Sequence, residues 1–138
     1  MKKNIFFVSL LMLLTQLANA QPADYKAVFD LTSKDSMNQQ SVLRELGLIK
    51  QANPDAMLEV VIYGQGLDLV TAGKSTRAAD IRELLMDKNI SFKVCAMAMK
   101  HQNVDKSQLL PGVEVVPDAI YEIISKQHEG WGYIKVAR

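Results

Sequence analysis

MLEVVIY, at positions 57–63, is a near-continuous apolar run that leads directly into Gly64-Gln65-Gly66. Strands of a parallel sheet are covered by helices on both faces and have continuous apolar sequences, whereas strands with one face in water alternate. The two glycines allow the backbone to turn sharply where the strand ends. This stretch therefore predicts a buried strand of a parallel sheet that ends in a tight turn.

The rest of the chain alternates between segments typical of strands and segments typical of helices. Strands are predicted over 25–31, 57–63, 91–96, 113–116 and 131–136; helices are predicted from Ser36 to the Asn53-Pro54 stop, over 76–88 and over 117–126, with one helical turn at 105–108. Ser36 to Gln39 fits a capping box, and Pro117 suits a first helical position. Strands joined through helices favour right-handed crossovers between parallel neighbours. The pattern predicts a three-layer α/β/α sandwich with a mostly parallel five-stranded sheet, and it leaves the strand order open.

The N-terminal segment has the three parts of a secretory signal peptide. Lys2-Lys3 provides positive charge, positions 5–17 form an apolar core, and Ala18-Asn19-Ala20 supplies the small residues that signal peptidase requires. The apolar core is shorter than the roughly 20 residues that a membrane span needs. We therefore expect residues 1–20 to be removed and residues 21–138 to form a single domain that is periplasmic or secreted and has no membrane anchor.

The charge balance gives no electrostatic reason to expect binding to nucleic acid or to a membrane surface. The 138 residues include 16 Lys and Arg and 15 Asp and Glu. Cleavage after Ala20 would remove Lys2 and Lys3 and leave 14 against 15, a net charge of about −1 with His neutral. A chain of this length is large enough for one core and too small for two domains.

Cys95 is the only cysteine, so it cannot form an internal disulfide. A lone cysteine of an exported protein is either a small buried hydrophobe or a thiol kept for chemistry. Ligands of open α/β sheets bind at the carboxyl ends of the strands, and the strand at 91–96 brings Cys95 to that edge. There, Lys93 or Lys100 could stabilise a thiolate. This placement favours a functional thiol.

Other catalytic patterns are weak or incomplete. The two histidines, His101 and His128, form no recognised metal-binding spacing with Cys95, and His101 is either a base for that thiol or a solvated loop residue. The glycine turn lacks the third glycine of a dinucleotide fingerprint. The sequence therefore predicts no metal and no organic cofactor. The candidate catalytic residue is Cys95. The candidate ligand-binding residues are Gly64, Gln65 and Gly66, because their backbone amides could face an anion or a sulfur atom.

Four segments, taken in order, resemble a known family. They are VIYGQGL at 61–67, FKVC at 92–95, VEVVP at 113–117 and QHEGWGYIK at 127–135. Through them the chain resembles the small single-domain members of the DsrE/DsrF-like family over most of its length. The resemblance implies a parallel α/β sandwich that assembles as homotrimers or hexamers. In sulfur-relay members it also implies a cysteine that carries persulfide sulfur between donor and acceptor proteins, and Cys95 falls on that position.

The leading hypothesis is therefore an exported sulfur carrier that holds persulfide on Cys95, with at most a sulfurtransferase-like activity. One alternative is a non-catalytic oligomeric module of the same fold that binds a small ligand or a partner protein near Gly64 to Gly66. A further alternative is a redox sensor that forms a disulfide between the Cys95 residues of two subunits. A Cys95→Ser variant separates the first two hypotheses, and a disulfide-linked dimer would identify the third.

Overall fold

The apolar run at 57–63 forms the central strand of a five-stranded sheet. The computed structural model describes residues 24–137, so the expected signal peptide at 1–20 lies outside the described residues. The strands are β1 (Lys26–Leu31), β2 (Met57–Ile62), β3 (Ile90–Cys95), β4 (Glu114–Val116) and β5 (Gly132–Lys135). The helices are α1 (Ser36–Ala52), α2 (Ala78–Leu84), α3 (Ala96–His101) and α4 (Ala119–His128), with 3₁₀ helices at Gly64–Val70 and Lys106–Gln108.

All neighbouring strands are parallel, and their order is β4-β3-β2-β1-β5. This arrangement confirms the predicted α/β fold with its parallel five-stranded sheet, and it supplies the strand order. α4 follows the edge strand β4 and leads to the opposite edge strand β5, so it crosses the sheet and contacts β1, β2 and β3 on the way. Within residues 24–137, no helix has the length and apolarity needed to cross a membrane.

The two faces of the sheet have cores of different size. Successive strand residues point to opposite faces, and on one face Phe29, Val60 and Phe92 pack with apolar residues of α1 and α2. The smaller core on the other face consists of Val28, Val61, Cys95, Ala119 and Ile123. Because the last two residues belong to α4, the thiol of Cys95 lies on the face that α4 covers.

The start of α1 differs from the predicted capping box. The N-cap is Asp35 rather than Ser36, because the Asp35 carboxylate accepts hydrogen bonds from the backbone N–H groups of Met37 and Asn38 at 2.8 and 3.1 Å. A carboxylate is also favoured over a hydroxyl at this position by the positive end of the helix dipole. The Gln39 amide donates to the loop before the helix instead of returning to the cap.

α4 begins and ends two residues later than predicted. Asp118 is its N-cap and accepts from the backbone N–H groups of Ile120 and Tyr121 at 2.7 and 3.1 Å, so Pro117 stays outside the helix. At the other end, Gly130 adopts φ 85°, in the left-handed region that favours glycine. α2 is also shorter than the predicted 76–88.

Candidate functional site

Cys95 is the last residue of β3, and it lines a cavity of about 620 Å³ at the carboxyl edge of the sheet. This residue is only 6% exposed. The residues around the cavity come from the ends of β2 and β3 and from α3: Tyr63, Gly64, Gln65, Cys95, Met97, Ala98, His101 and Gln102. The pairing of Ile62 with Val94 brings these two strand ends side by side. The structure thus places the predicted thiol and two of the three predicted ligand-binding residues around one cavity.

The third predicted residue, Gly66, does not line the cavity. A Cβ at this position would lie 2.9 Å from the backbone carbonyl oxygen of Leu31, so glycine is required there for close packing. The backbone amides of the turn are also engaged: Gln65 donates to the carbonyl of Thr32 at 3.0 Å, and Gly66 donates to the carbonyl of Tyr63 at 3.1 Å. The expectation that these two amides face a ligand is therefore wrong, because protein carbonyls already accept from them.

α3 was not predicted, and it builds one wall of the cavity. Most residues of Ala96–His101 are Ala, Met or Lys, which are strong helix formers. The helix propensity of the segment was therefore visible in the sequence, but the segment is too short to show helical periodicity. Met97 and His101 lie one turn apart and both line the cavity. Met99 is 6% exposed and belongs to the larger core. His101 is thus an exposed residue at the end of a helix rather than a loop residue.

A buried carboxylate lies beside the cavity. Asp30, in β1, is 4% exposed and accepts hydrogen bonds from the Tyr133 hydroxyl at 2.6 Å and from Lys135 Nζ at 3.0 Å. Burial, and then the negative charge of Asp30, raise the pKa of Tyr63 to about 12. The hydrogen bond to Asp30 raises the pKa of Tyr133 to about 12. Both phenols therefore remain protonated at neutral pH.

A second buried carboxylate, Glu59 of β2, anchors a charged cluster beneath α4. Lys93 Nζ lies 3.1 Å from Glu59 Oε2 and 2.9 Å from Glu122 Oε1, and Lys126 Nζ lies 3.9 Å from each carboxylate. Glu59 Oε2 also accepts from the Ser91 hydroxyl at 3.3 Å, whereas its buried Oε1 has no hydrogen-bond partner in the part of the chain described. The cluster joins the middle of the sheet to α4.

The pKa shifts in this cluster follow from burial and pairing. Burial raises the pKa of Glu59, and the nearby charge of Lys93 offsets only part of that rise. Burial alone would lower the pKa of Lys93, but the hydrogen bond to Glu122 and the charge of Glu59 outweigh it and raise that pKa. Burial alone would raise the pKa of Glu122, but the hydrogen bond from Lys93 outweighs burial and lowers that pKa. Since two carboxylates hold the Lys93 ammonium, its charge is already balanced and is not free to stabilise a thiolate at Cys95.

Sequence reasoning missed both carboxylate clusters. The only signal was an acidic residue inside each of two apolar strands, Asp30 and Glu59. Their partners on β5 and α4 become neighbours only through the strand order. Within residues 24–137, no group of three His, Cys, Asp or Glu side chains is arranged to hold a metal ion.

Comparison with known proteins agrees with this fold. The model of a family described as the DsrE/DsrF-like family matches residues 26–136. A protein of unknown function, MTH1491 from Methanobacterium thermoautotrophicum, is 27% identical with a TM-score of 0.77, over 81% of this chain and 99% of that chain. The search of curated proteins gave no match.

Two further solved structures resemble the chain at lower identity and show the fold alone. BT1422, a conserved protein of unknown function from Bacteroides thetaiotaomicron, is 17% identical with a TM-score of 0.69, over 86% of this chain and 100% of that chain. The ychN protein from E. coli is 13% identical with a TM-score of 0.65, over 81% of this chain and 98% of that chain.

Proposed function

The chain belongs to the DsrE/DsrF-like family, and from this premise we propose that it is an exported sulfur carrier that holds persulfide sulfur on Cys95. The observation that carries the proposal is the position of its single thiol. Cys95 ends β3 and lines a cavity built by the carboxyl ends of two parallel strands, the edge at which α/β sheets bind their ligands.

The transfer requires no oxidant or reductant. The Cys95 thiolate attacks the outer sulfur of a donor persulfide, the donor S–S bond breaks, and the donor leaves as a thiolate. A new S–S bond then joins Cys95 to the transferred sulfur. In the second half-reaction an acceptor thiolate attacks that outer sulfur, and Cys95 leaves as a thiolate. The chain returns to its starting state, and the sulfur atom has moved from donor protein to acceptor protein.

The walls of the cavity suit a reactive intermediate of this kind. Met97 and Ala98 place apolar groups beside Cys95, and Tyr63 adds a ring whose hydroxyl remains protonated. With Cys95 only 6% exposed, a persulfide would extend into the cavity rather than into bulk water. Such shielding matters in an oxidising compartment, where exposed thiols are readily lost to disulfides.

Intact mass spectrometry after incubation with inorganic polysulfide tests this proposal. We expect the wild-type protein to gain the mass of one sulfur atom and to lose it to an added low-molecular-weight thiol. Because Cys95 is the only cysteine, the Cys95→Ser variant is a complete control and should gain nothing. If wild-type protein gains no sulfur while a free thiol compound in the same reaction does, the carrier function is refuted.

Export is the second part of this proposal, and it has its own test. Lys2-Lys3, the apolar core and Ala18-Asn19-Ala20 form the signal-peptide pattern. We expect protein recovered from the cell envelope fraction to begin at Gln21. Protein that retains Met1 and remains with the cytoplasm would refute export without bearing on the chemistry of Cys95.

A homo-oligomer, a trimer or a hexamer, is part of the same proposal. Its support is an exposed apolar stripe on α4, where Ile120, Tyr121 and Ile124 are 50%, 72% and 47% exposed. Apolar patches of this kind commonly mark protein interfaces. Light scattering coupled to gel filtration should show an oligomer that Ile124→Glu dissociates. The control is Leu48→Glu, an equally exposed apolar position on α1, and a monomeric wild-type protein would contradict the assembly.

The cavity volume favours a second candidate function, a non-catalytic binding module. A cavity of about 620 Å³ is far larger than a single sulfur atom requires and falls in the size range of small-molecule sites. A binding module needs the shape of the cavity and not its thiol. A Cys95→Ser strain with the full wild-type phenotype would favour the binding module, whereas loss of the phenotype would favour the carrier.

A further inference from the structure

We propose that the same cavity forms a Cu(I) site in which the Cys95 thiolate, the Met97 thioether and the His101 imidazole are the ligands. All three side chains line this cavity. Most metal sites use His, Cys, Asp and Glu side chains as ligands. The third donor of this set is a methionine thioether, so the site becomes apparent only when methionine is counted as a ligand. This proposal does not depend on the sulfur-carrier function.

The ligand types select the metal. Thiolate and thioether are soft donors that favour Cu(I), and imidazole also suits copper. Zn²⁺ is held by thiolate, imidazole and carboxylate, usually four of them, and a thioether is not among its usual ligands. Among the described residues, those that line the cavity include no carboxylate. One thiolate, one thioether and one imidazole therefore fit Cu(I) better than a divalent ion.

α3 holds two of the ligands on one side. Met97 and His101 are four residues apart in the helix, so their Cβ atoms are separated by about 5–6 Å. Cys95 directly precedes the first turn of the same helix. The short segment 95–101 thus supplies all three ligands, and no distant part of the chain has to move to complete the site.

The two methionines of α3, Met97 and Met99, differ in their exposure to solvent. Met97 is 65% exposed, and its unbranched side chain has three rotatable bonds with which to reach an ion. Met99 is 6% exposed and packs in the larger core, so it is not available. His101 is exposed at the end of α3. The two outer ligands are therefore free to close on an ion held by Cys95.

Binding at this site is an exchange of a proton for a metal ion. The Cys95 thiol proton passes to solvent as the S–Cu bond forms. Copper remains Cu(I), and no electron is transferred. The open side of the cavity leaves room for a ligand from a molecule that delivers or removes the ion.

Competition with a chromophoric Cu(I) chelator, carried out on the purified, reduced protein without oxygen, tests the site. We expect wild-type protein to retain one Cu(I) per chain and Cys95→Ser and Cys95→Ala to retain none. Met97→Leu and His101→Gln should each weaken binding about tenfold or more, since even losing a group that only orients a metal ligand commonly costs that much.

Two matched controls lie outside the cavity. Met86 is 84% exposed and follows α2, and His128 is an exposed residue at the end of α4. Met86→Leu and His128→Gln should bind Cu(I) as wild-type protein does. If either Met97→Leu or His101→Gln binds as tightly as its matched control, or if the chelator removes all copper from wild-type protein, the proposal is overturned. Sulfur loading of Cys95 by polysulfide is measured separately, so either property can fail without the other.

Discussion

Replacement of Lys93 by Met tests whether the charged cluster beneath α4 holds the helix on the sheet. Lys93 Nζ lies 3.1 Å from Glu59 and 2.9 Å from Glu122. Methionine keeps most of the apolar stem and removes the ammonium. Within residues 24–137, the substitution leaves the Glu59 carboxylate, 2% exposed, with the Lys126 ammonium at 3.9 Å as its remaining ion-pair partner. We expect a large loss of stability at neutral pH.

The size of the loss follows from burial. Removing one partner of a buried ion pair commonly costs about 3–5 kcal/mol. Because Lys126 still compensates part of the charge, we expect the lower end, about 3 kcal/mol. For a domain of this size, that corresponds to a fall in Tm of about 12 °C. Replacing both partners, as in Glu59→Leu with Lys93→Met, should recover most of the loss, because no uncompensated charge then remains at Glu59.

The loss should shrink as the pH falls. The pKa of Glu59 is already raised by burial, and without Lys93 it rises further, so the folded variant binds a proton more readily than the unfolded chain. A group of this kind gains stability as the pH decreases. In wild-type protein Lys93 lowers the pKa of Glu122, which gives stability at neutral pH that is lost on acidification. The rise in the pKa of Glu59 therefore brings the variant closer to wild type at pH 5 than at pH 8, whereas the Glu122 contribution is lost only as the pH falls below the ordinary value of 4.5.

Urea unfolding followed by circular dichroism, at pH 8 and pH 5, measures both quantities. The control is Lys74→Met, which breaks an exposed ion pair with Asp68 at 3.3 Å and should cost at most about 1 kcal/mol. The reasoning is refuted if Lys93→Met costs no more than this control. It is also refuted if the cost is equal at the two pH values.

Three further predictions concern two glycines, the Tyr133 hydroxyl and the N-cap of α4. Gly66→Ala should destabilise the fold by about 1–3 kcal/mol, because its Cβ would lie 2.9 Å from the end of β1. Gly47→Ala, within α1 and with nothing near its Cβ, should instead stabilise the fold by about 0.5–1 kcal/mol. Urea unfolding measures both changes in stability, and changes of the same sign would contradict the prediction. Tyr133→Phe should cost about 1–2 kcal/mol through the lost hydrogen bond to Asp30, and in a spectrophotometric titration it should remove a phenolate signal near pH 12. Asp118→Ala should cost about 1 kcal/mol by uncapping α4, and a Tm equal to that of wild type would contradict the assigned cap.

The strands and the larger helices could be predicted because their sequences carry periodic or continuous apolar patterns. The run at 57–63 is continuous because β2 is paired on both edges and covered on both faces. Val42, Leu43 and Leu46 of α1 lie on one face, as the 3.6-residue period requires, and all three are buried. These signals are local, so a single sequence is enough to detect them.

The strand order and the two carboxylate clusters could not be predicted, because they depend on contacts between distant segments. Nothing local in 117–136 indicates that α4 crosses the sheet and returns the chain to the edge beside β1. That crossing alone brings Tyr133 and Lys135 to Asp30, more than a hundred residues away in sequence. The same crossing brings Glu122 to Lys93. A sequence pattern can place each residue on a strand or helix face, but not opposite its partner.

The register of β3 links the charged cluster to the thiol. Ser91, Lys93 and Cys95 alternate with buried apolar residues, so all three face α4. Ser91 and Lys93 both contact Glu59 on the neighbouring strand. If β3 shifted by one residue relative to β2, the Cys95 side chain would point into the larger core, and the Glu59 carboxylate would face apolar side chains. The contacts of Ser91 and Lys93 with Glu59 therefore favour the register in which the thiol reaches the cavity.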